Sequence, residues 1–245
     1  MKKRKSVVLT AFFPDSKYDS SIFCSSAEKV LKNGSFVLEF FYDGNDTKAV
    51  KEYLDSKQVE TIFLAPFYTK LQKKSLSSLD ETLRKETVDK MKEYVDLCYY
   101  FGSEAMLINS GPRPDAIHLD IAIKRFEKSV YEILEYVMEK ADGYILDILL
   151  EPGDIGVDYD EVFGHTENVI THVNAVRENY ENYYLTMDVS HIRQLGESIE
   201  TSLQLAKPYC YHIHMANCYL KDSNHFLYGD KHLEFGALDS ELDME

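Results

Sequence analysis

Side chains able to bind metals and move protons crowd the end of this chain. Asp188, His191, His212, His214, Asn217, Asp230 and His232 all fall between Tyr183 and Phe235, and five of the eight histidines lie beyond residue 190. Carboxylate and imidazole donors of this kind suit a hard or borderline divalent cation such as Mn, Mg, Zn or Co, and they also serve as general acids and bases. Their placement narrows the chemistry further. Asp188 and His191 follow the apolar run Tyr184–Met187, His214 ends the run Tyr209–Ile213, and Glu151 closes Tyr144–Leu150 just before Pro152 and Gly153. A polar residue that stops a buried apolar run marks the point where a parallel strand hands over to a loop. Three such ends predict a metal site on one face of an α/β barrel. A carboxylate at Glu151 is a ligand, a base or half of a salt bridge, because an unpaired buried charge is costly. His212 and His214 share a strand face. The later residue is nearer the loops, so His214 is expected at the site and His212 in a layer of the barrel. Asp230 and His232 lie in a polar loop where Gly229 allows close backbone approach. The turn Asn109–Pro114 can present Arg113 to an anion, and a bare structural turn explains it equally well. The absence of a G-x-S-x-G elbow counts against a serine nucleophile.

The elements that must position these groups follow a strand–helix rhythm. Strands are expected at 6–12, 36–42, 61–65, 105–108, 144–151, 184–188 and 209–214. Helices are expected at 20–32, from about 46 to 56, 79–100, 119–140, 159–180 and 194–206, with a polar loop at 69–78. His118, His165 and His172 read as helix-surface or cap residues. Alternating strands and helices with short connections imply βαβ units and a parallel sheet. No strand is followed by a Gly-rich nucleotide loop, which favours a barrel over a doubly wound sheet. A (β/α)8 TIM barrel has eight strands. The pattern reaches seven, so the last helix and strand are expected to be missing from this chain. Residues 1–245 read as one domain, C-terminally incomplete, with open edges on strands one and seven that favour homo-oligomer formation.

The 245 residues carry 44% hydrophobic and 28% charged side chains and a formal net charge of −15. That charge repels a phosphate backbone and counts against nucleic acid as a partner. Cys24, Cys98, Cys210 and Cys218 form no CxxC pair, which fits reduced thiols and a cytoplasmic location. The basic start, Met1–Lys5, precedes an apolar run too short for a signal peptide. No segment approaches the ~20 apolar residues of a membrane span.

Four stretches together carry a family resemblance: Leu149-Leu150-Glu151-Pro152, Met187-Asp188-Val189-Ser190-His191-Ile192, His212-Ile213-His214-Met215-Ala216-Asn217, and Gly229-Asp230-Lys231-His232-Leu233-Glu234-Phe235-Gly236. In order and spacing the chain resembles the sugar phosphate isomerase/epimerase group of the xylose isomerase-like TIM barrels, which share their barrel with endonuclease IV-type enzymes. The resemblance covers roughly the second half. In the first half it rests on the strand–helix rhythm and on Glu39, where such barrels often carry a glutamate near substrate. It implies a divalent metal on Glu151, Asp188 and His214, a substrate contact at His191, and proton transfer through an enediolate on a sugar or sugar phosphate. The family's second glutamate, after strand eight, has no counterpart here, which keeps a non-catalytic sugar- or metal-binding barrel in view. The endonuclease-type histidines after strands three and four are replaced by Ala65-Pro66-Phe67 and Asn109-Ser110. His191, Asp230 and His232 match that branch's trio for one metal, so these residues and Asn217 stand as a second metal or substrate group.

Overall fold

A computed structural model describes residues 4–34 and 36–243. The first three residues of the basic start, residue 35 and the last two residues of the expected domain lie outside the described residues. Among the described residues seven parallel strands form one sheet in the order β1 to β7: β1 Lys5–Val8, β2 Phe36–Phe40, β3 Thr61–Leu64, β4 Ala105–Asn109, β5 Asp147–Glu151, β6 Tyr183–Asp188 and β7 Cys210–His214. The helices are α1 Leu9–Phe12, α2 Ser20–Leu31, α3 Thr47–Lys57, α4 Pro66–Gln72, α5 Glu81–Phe101, α6 Leu119–Lys140, α7 Thr166–Arg177, α8 Val189–Gln194 and α9 Ile199–Ala206. No eighth strand pairs β7 with β1 among them. The sheet nonetheless curls far enough that Ser6 Oγ on β1 lies 3.2 Å from His212 Nε2 on β7.

Burial explains the strands. β3 and β4 are buried throughout, as strands covered on both faces must be. The rings of Phe40, Phe23, Phe63 and Phe101 meet edge to face at centroid distances of 5.1–5.7 Å between the sheet and its helices, the arrangement aromatic quadrupoles prefer. Helices α2, α3, α5 and α9 start on side-chain caps: Asp19, Asp46, Asp80 and Ser198 accept backbone N–H groups that have no partner within the helix. Among the described residues no helix is long and apolar enough to cross a membrane.

Several local expectations are corrected. The run expected as strand 6–12 leaves the sheet after Val8, and α1 turns the chain inward on Leu9 while Phe12 stays exposed. The polar loop expected at 69–78 begins inside α4. Pro66 starts that helix, since its missing N–H needs no partner there and its φ is already helical. The helix expected from 159 begins only at Thr166. Asp154 draws the backbone N–H groups of Val157, Asp158, Tyr159 and Asp160 onto its carboxylate, and Glu161 pairs antiparallel with Pro112. The helix expected over 194–206 begins only at Ile199, because the separate helix α8 ends at Gln194 and the chain turns at Gly196, whose φ of 72° suits glycine. His172 lies in the core rather than on a helix surface, its Nε2 3.0 Å from the Tyr183 hydroxyl.

Candidate metal and proton-transfer centre

Parallel strands end together. In register, Asn109 on β4 lies beside Glu151 on β5, and Asp188 on β6 lies beside His214 on β7. The C-terminal mouth of the sheet therefore collects the residue that stops each apolar run. Glu151, Asp188 and His191 each offer a ligand atom within 4.8 Å of the others, and Glu39, His212 and His214 form a second group by the same measure. His214 joins the two: its Nδ1 donates to Glu151 Oε1 at 2.5 Å and its Nε2 to Glu39 Oε2 at 2.8 Å. His212 Nε2 faces the other oxygen of Glu39 at 2.9 Å.

The charges follow from this contact pattern. Burial lowers the pKa of His214, but the carboxylates of Glu151 and Glu39 outweigh it and raise it well above the usual imidazole range. Burial also works against the charge on Glu39 and Glu151, and His214, together with His212 beside Glu39 and with His191 and Lys70 near Glu151, outweighs it, holding these carboxyls below their usual range. His191 behaves similarly: burial lowers its pKa, and Asp188, Asp230 and Glu151 raise it above the usual value. An imidazolium between two carboxylates is a place where the fold already compensates a cation.

Other expected site residues are placed differently. Asp230 is buried, accepts from Ser190 Oγ at 3.2 Å and stands 4.0 Å from His191 Nε2. His232 is exposed, 3.6 Å from Asp230. Asn217 is wholly buried, and its amide bonds the backbone of Cys218, Glu234 and Leu242, which ties down the tail. Arg113 donates to the Val162 carbonyl at 3.2 Å, away from both donor groups. Glu39 has no exposed surface, and both its oxygens face histidines.

Sequence reasoning missed two ionisable residues here, Lys70 and Glu161. Lys70, on α4, holds its ammonium 3.6 Å above the centroid of the Tyr159 ring. Lys70 is exposed, and among the described residues no carboxylate lies within 4.0 Å of it, although Glu161, Tyr159, Glu151 and Asp230 are near enough to raise its pKa. Glu161 is buried and bonded by Asn109 Nδ2 at 2.9 Å and Ser110 Oγ at 3.0 Å, with its pKa raised by burial. A Cβ at Gly153 would come within 2.7 Å of Glu161 Cγ, so glycine there admits this second carboxyl beside the Glu151 strand end. The signal for Lys70 was its place just after Pro66 at the end of a strand. Glu161 carried none, lying in a stretch that reads as helix.

The sequence profile of the xylose isomerase-like TIM barrels matches residues 31–244. No curated protein matches the chain. Among solved structures, a D-tagatose 3-epimerase-like protein superposes with a TM-score of 0.70 at 17% identity, over 91% of this chain and 79% of its own. The 3-keto-D-glucoside 4-epimerase of E. coli, in its apo form, gives 0.66 at 14%, over 88% and 79%. An AP endonuclease, family 2, of Brucella melitensis gives 0.66 at 14%, over 90% and 83%. At these identities the likeness is one of fold.

Proposed function

The chain belongs to the xylose isomerase-like TIM barrel family, and from that footing we propose that it is a metal-dependent isomerase or epimerase of a sugar, sugar phosphate or related polyol. The observation that carries this reading is Glu151, a carboxylate at a strand end that is bonded to His214 and grouped with Asp188 and His191. The epimerase names of the two sugar-acting neighbours lend it support.

The donor set fits a divalent cation. Two carboxylates and imidazole nitrogens are the ligands such ions take, and a cation between Glu151 and His214 would replace a bridging proton rather than open a new cavity. Glu151, Asp188 and His214 would hold it. When bound, it would polarise the hydroxyl and carbonyl oxygens of a sugar. His191 Nδ1 is turned to Gln194 Oε1 at 3.2 Å, which leaves Nε2 for a sugar oxygen. Glu151 takes a proton from a sugar carbon next to a carbonyl, leaving an enediolate; returning that proton to the neighbouring carbon isomerises the sugar, and delivery of a proton to the opposite face of the same carbon epimerises it. The Lys70 ammonium, steadied on Tyr159 and free of a carboxylate partner among the described residues, anchors another oxygen of the substrate.

The test is incorporation of solvent deuterium into a panel of ketoses and ketose phosphates, with Mn or Mg added. Exchange that needs the metal and disappears in Glu151→Gln supports the isomerase. A folded, metal-loaded protein that exchanges no sugar overturns it in favour of a binding barrel, and incision of abasic DNA would overturn it in favour of a phosphodiesterase.

A further inference from the structure

Glu39 is the residue of the mouth that the reaction above does not use. It sits on β2, is wholly buried, and accepts one histidine on each oxygen: His212 Nε2 at 2.9 Å and His214 Nε2 at 2.8 Å. On the far side of the same imidazole, His214 Nδ1 meets Glu151 Oε1 at 2.5 Å. A three-link chain, Glu39–His214–Glu151, thus crosses the barrel from β2 through β7 to β5. We propose that Glu39 is a positioning residue: by holding the Nε2–H of His214 it fixes the ring so that Nδ1 alone faces the cation site formed with Glu151 and Asp188.

An imidazole can offer a metal either nitrogen, and the hydrogen bond made by the other decides which one is free. Metal-binding histidines commonly donate that second N–H to a carboxylate, which orients the ring and raises its basicity. Glu39 meets that requirement with both oxygens already engaged. The competing arrangement makes Glu39 itself a ligand, with His212 and His214 completing the set. It would require a fully buried carboxylate to give up both of its N–H donors, and stripping a buried charge of its partners is strongly destabilising. Binding at His214 Nδ1 displaces one hydrogen bond and keeps the other two. His212 then has a different part: it occupies the second oxygen of Glu39 and touches Ser6 on β1, which pins the carboxylate across the gap between the first and last strands.

This inference rests on the proposed metal site, and the experiment separates the two. Zinc affinity is measured by competition with a chromogenic chelator for the wild type, Glu151→Gln, Glu39→Ala, Glu39→Gln and His212→Asn. Imidazole 15N spectra of the zinc-loaded proteins report which nitrogen of His214 carries the metal. The expected result is a 10–100-fold weaker affinity in Glu39→Ala, with Nδ1 metallated in the wild type. In Glu39→Gln, whose carbonyl oxygen still accepts from His214 while its NH2 faces His212, much of the affinity returns. His212→Asn, which loosens Glu39 but leaves its bond to His214, weakens the affinity by less than Glu39→Ala does. Zinc on Nε2 of His214, or unaltered affinity in a folded Glu39→Ala, overturns the positioning role while leaving the metal site standing. Equal losses in His212→Asn and Glu39→Ala also overturn it, since they assign Glu39 to the ligand set. A wild type that holds no zinc removes both readings.

Discussion

Between α5 and α6, on the outer layer, Arg84 has no exposed surface, yet every arm of its guanidinium is matched: two bonds to Glu81 at 2.8 and 2.9 Å, one to Glu132 at 2.9 Å and one to Ser129 Oγ at 2.9 Å. Glu81 also takes Arg125 and Lys128, and Ser129 passes its own proton to the Leu76 carbonyl. The mouth of the barrel buries comparable charge under a different rule. Glu39 and Glu151 face histidines rather than arginines, and the exposed Lys70 stands over a ring with no carboxylate in contact among the described residues. A guanidinium does not give up its proton in a protein, so the Arg84 cluster has one charge state. An imidazolium can exchange a proton for a metal, and an unpaired ammonium can donate to a substrate oxygen. The same residue classes therefore make a rivet in one place and the proposed working centre in the other.

The widest separation should come from replacing one carboxylate in each. Glu151→Gln keeps the shape of the mouth but removes its base, and the expected loss is ~10²–10⁴-fold in turnover, with weaker metal binding in a chelator competition and little change in melting temperature. If His214 holds metal and His191 holds substrate, His214→Ala loses the ion, whereas His191→Ala retains it and raises KM. A reversed pattern would exchange their roles. Arg84→Met should do the opposite of Glu151→Gln. Breaking a buried pair typically costs ~3–5 kcal/mol, and the low end is expected because Glu81 and Glu132 keep about 30% side-chain exposure. Urea unfolding would show the loss while the kcat of the folded fraction stays unchanged. A fall in kcat would show that the rivet reaches the site.

Smaller effects sharpen the contrast. If the Lys70 ammonium binds substrate and transition state alike, Lys70→Met should raise KM about tenfold, worth ~1.4 kcal/mol, with kcat retained. A drop in kcat instead would place Lys70 on an oxygen that gains charge during the reaction. At the other end of β5 from Glu151, Asp147 tests burial with a weaker cation nearby. Burial first, and Glu104 second, raise its pKa to about 6, with Arg177 only partly opposing them. A carboxyl raised on folding contributes stability that is full below its unfolded pKa and is lost as pH climbs through the folded value. Stability should therefore fall between about pH 4 and pH 6, by on the order of 1 kcal/mol, and Asp147→Asn should flatten that part of the curve.

Strand ends were legible because an apolar run that stops on a carboxylate or an imidazole leaves a local mark: Glu151, Asp188 and His214 could be read by eye. So could the alternation of strand and helix, which the period of apolar residues encodes. Segments governed by contacts distant in sequence were misread. The loop before α7 is shaped by the Asp154 carboxylate and by pairing of Glu161 with Pro112, and no local pattern announces either. The central contacts of the mouth were hidden for the same reason. Glu39 meets His212 and His214 across 173 and 175 residues, and Lys70 meets Tyr159 from a helix that reads as polar loop. Residue type and period fix which side chains end a strand. The curl of the sheet fixes which of those ends face one another, and it arises from the packing of every strand and helix together.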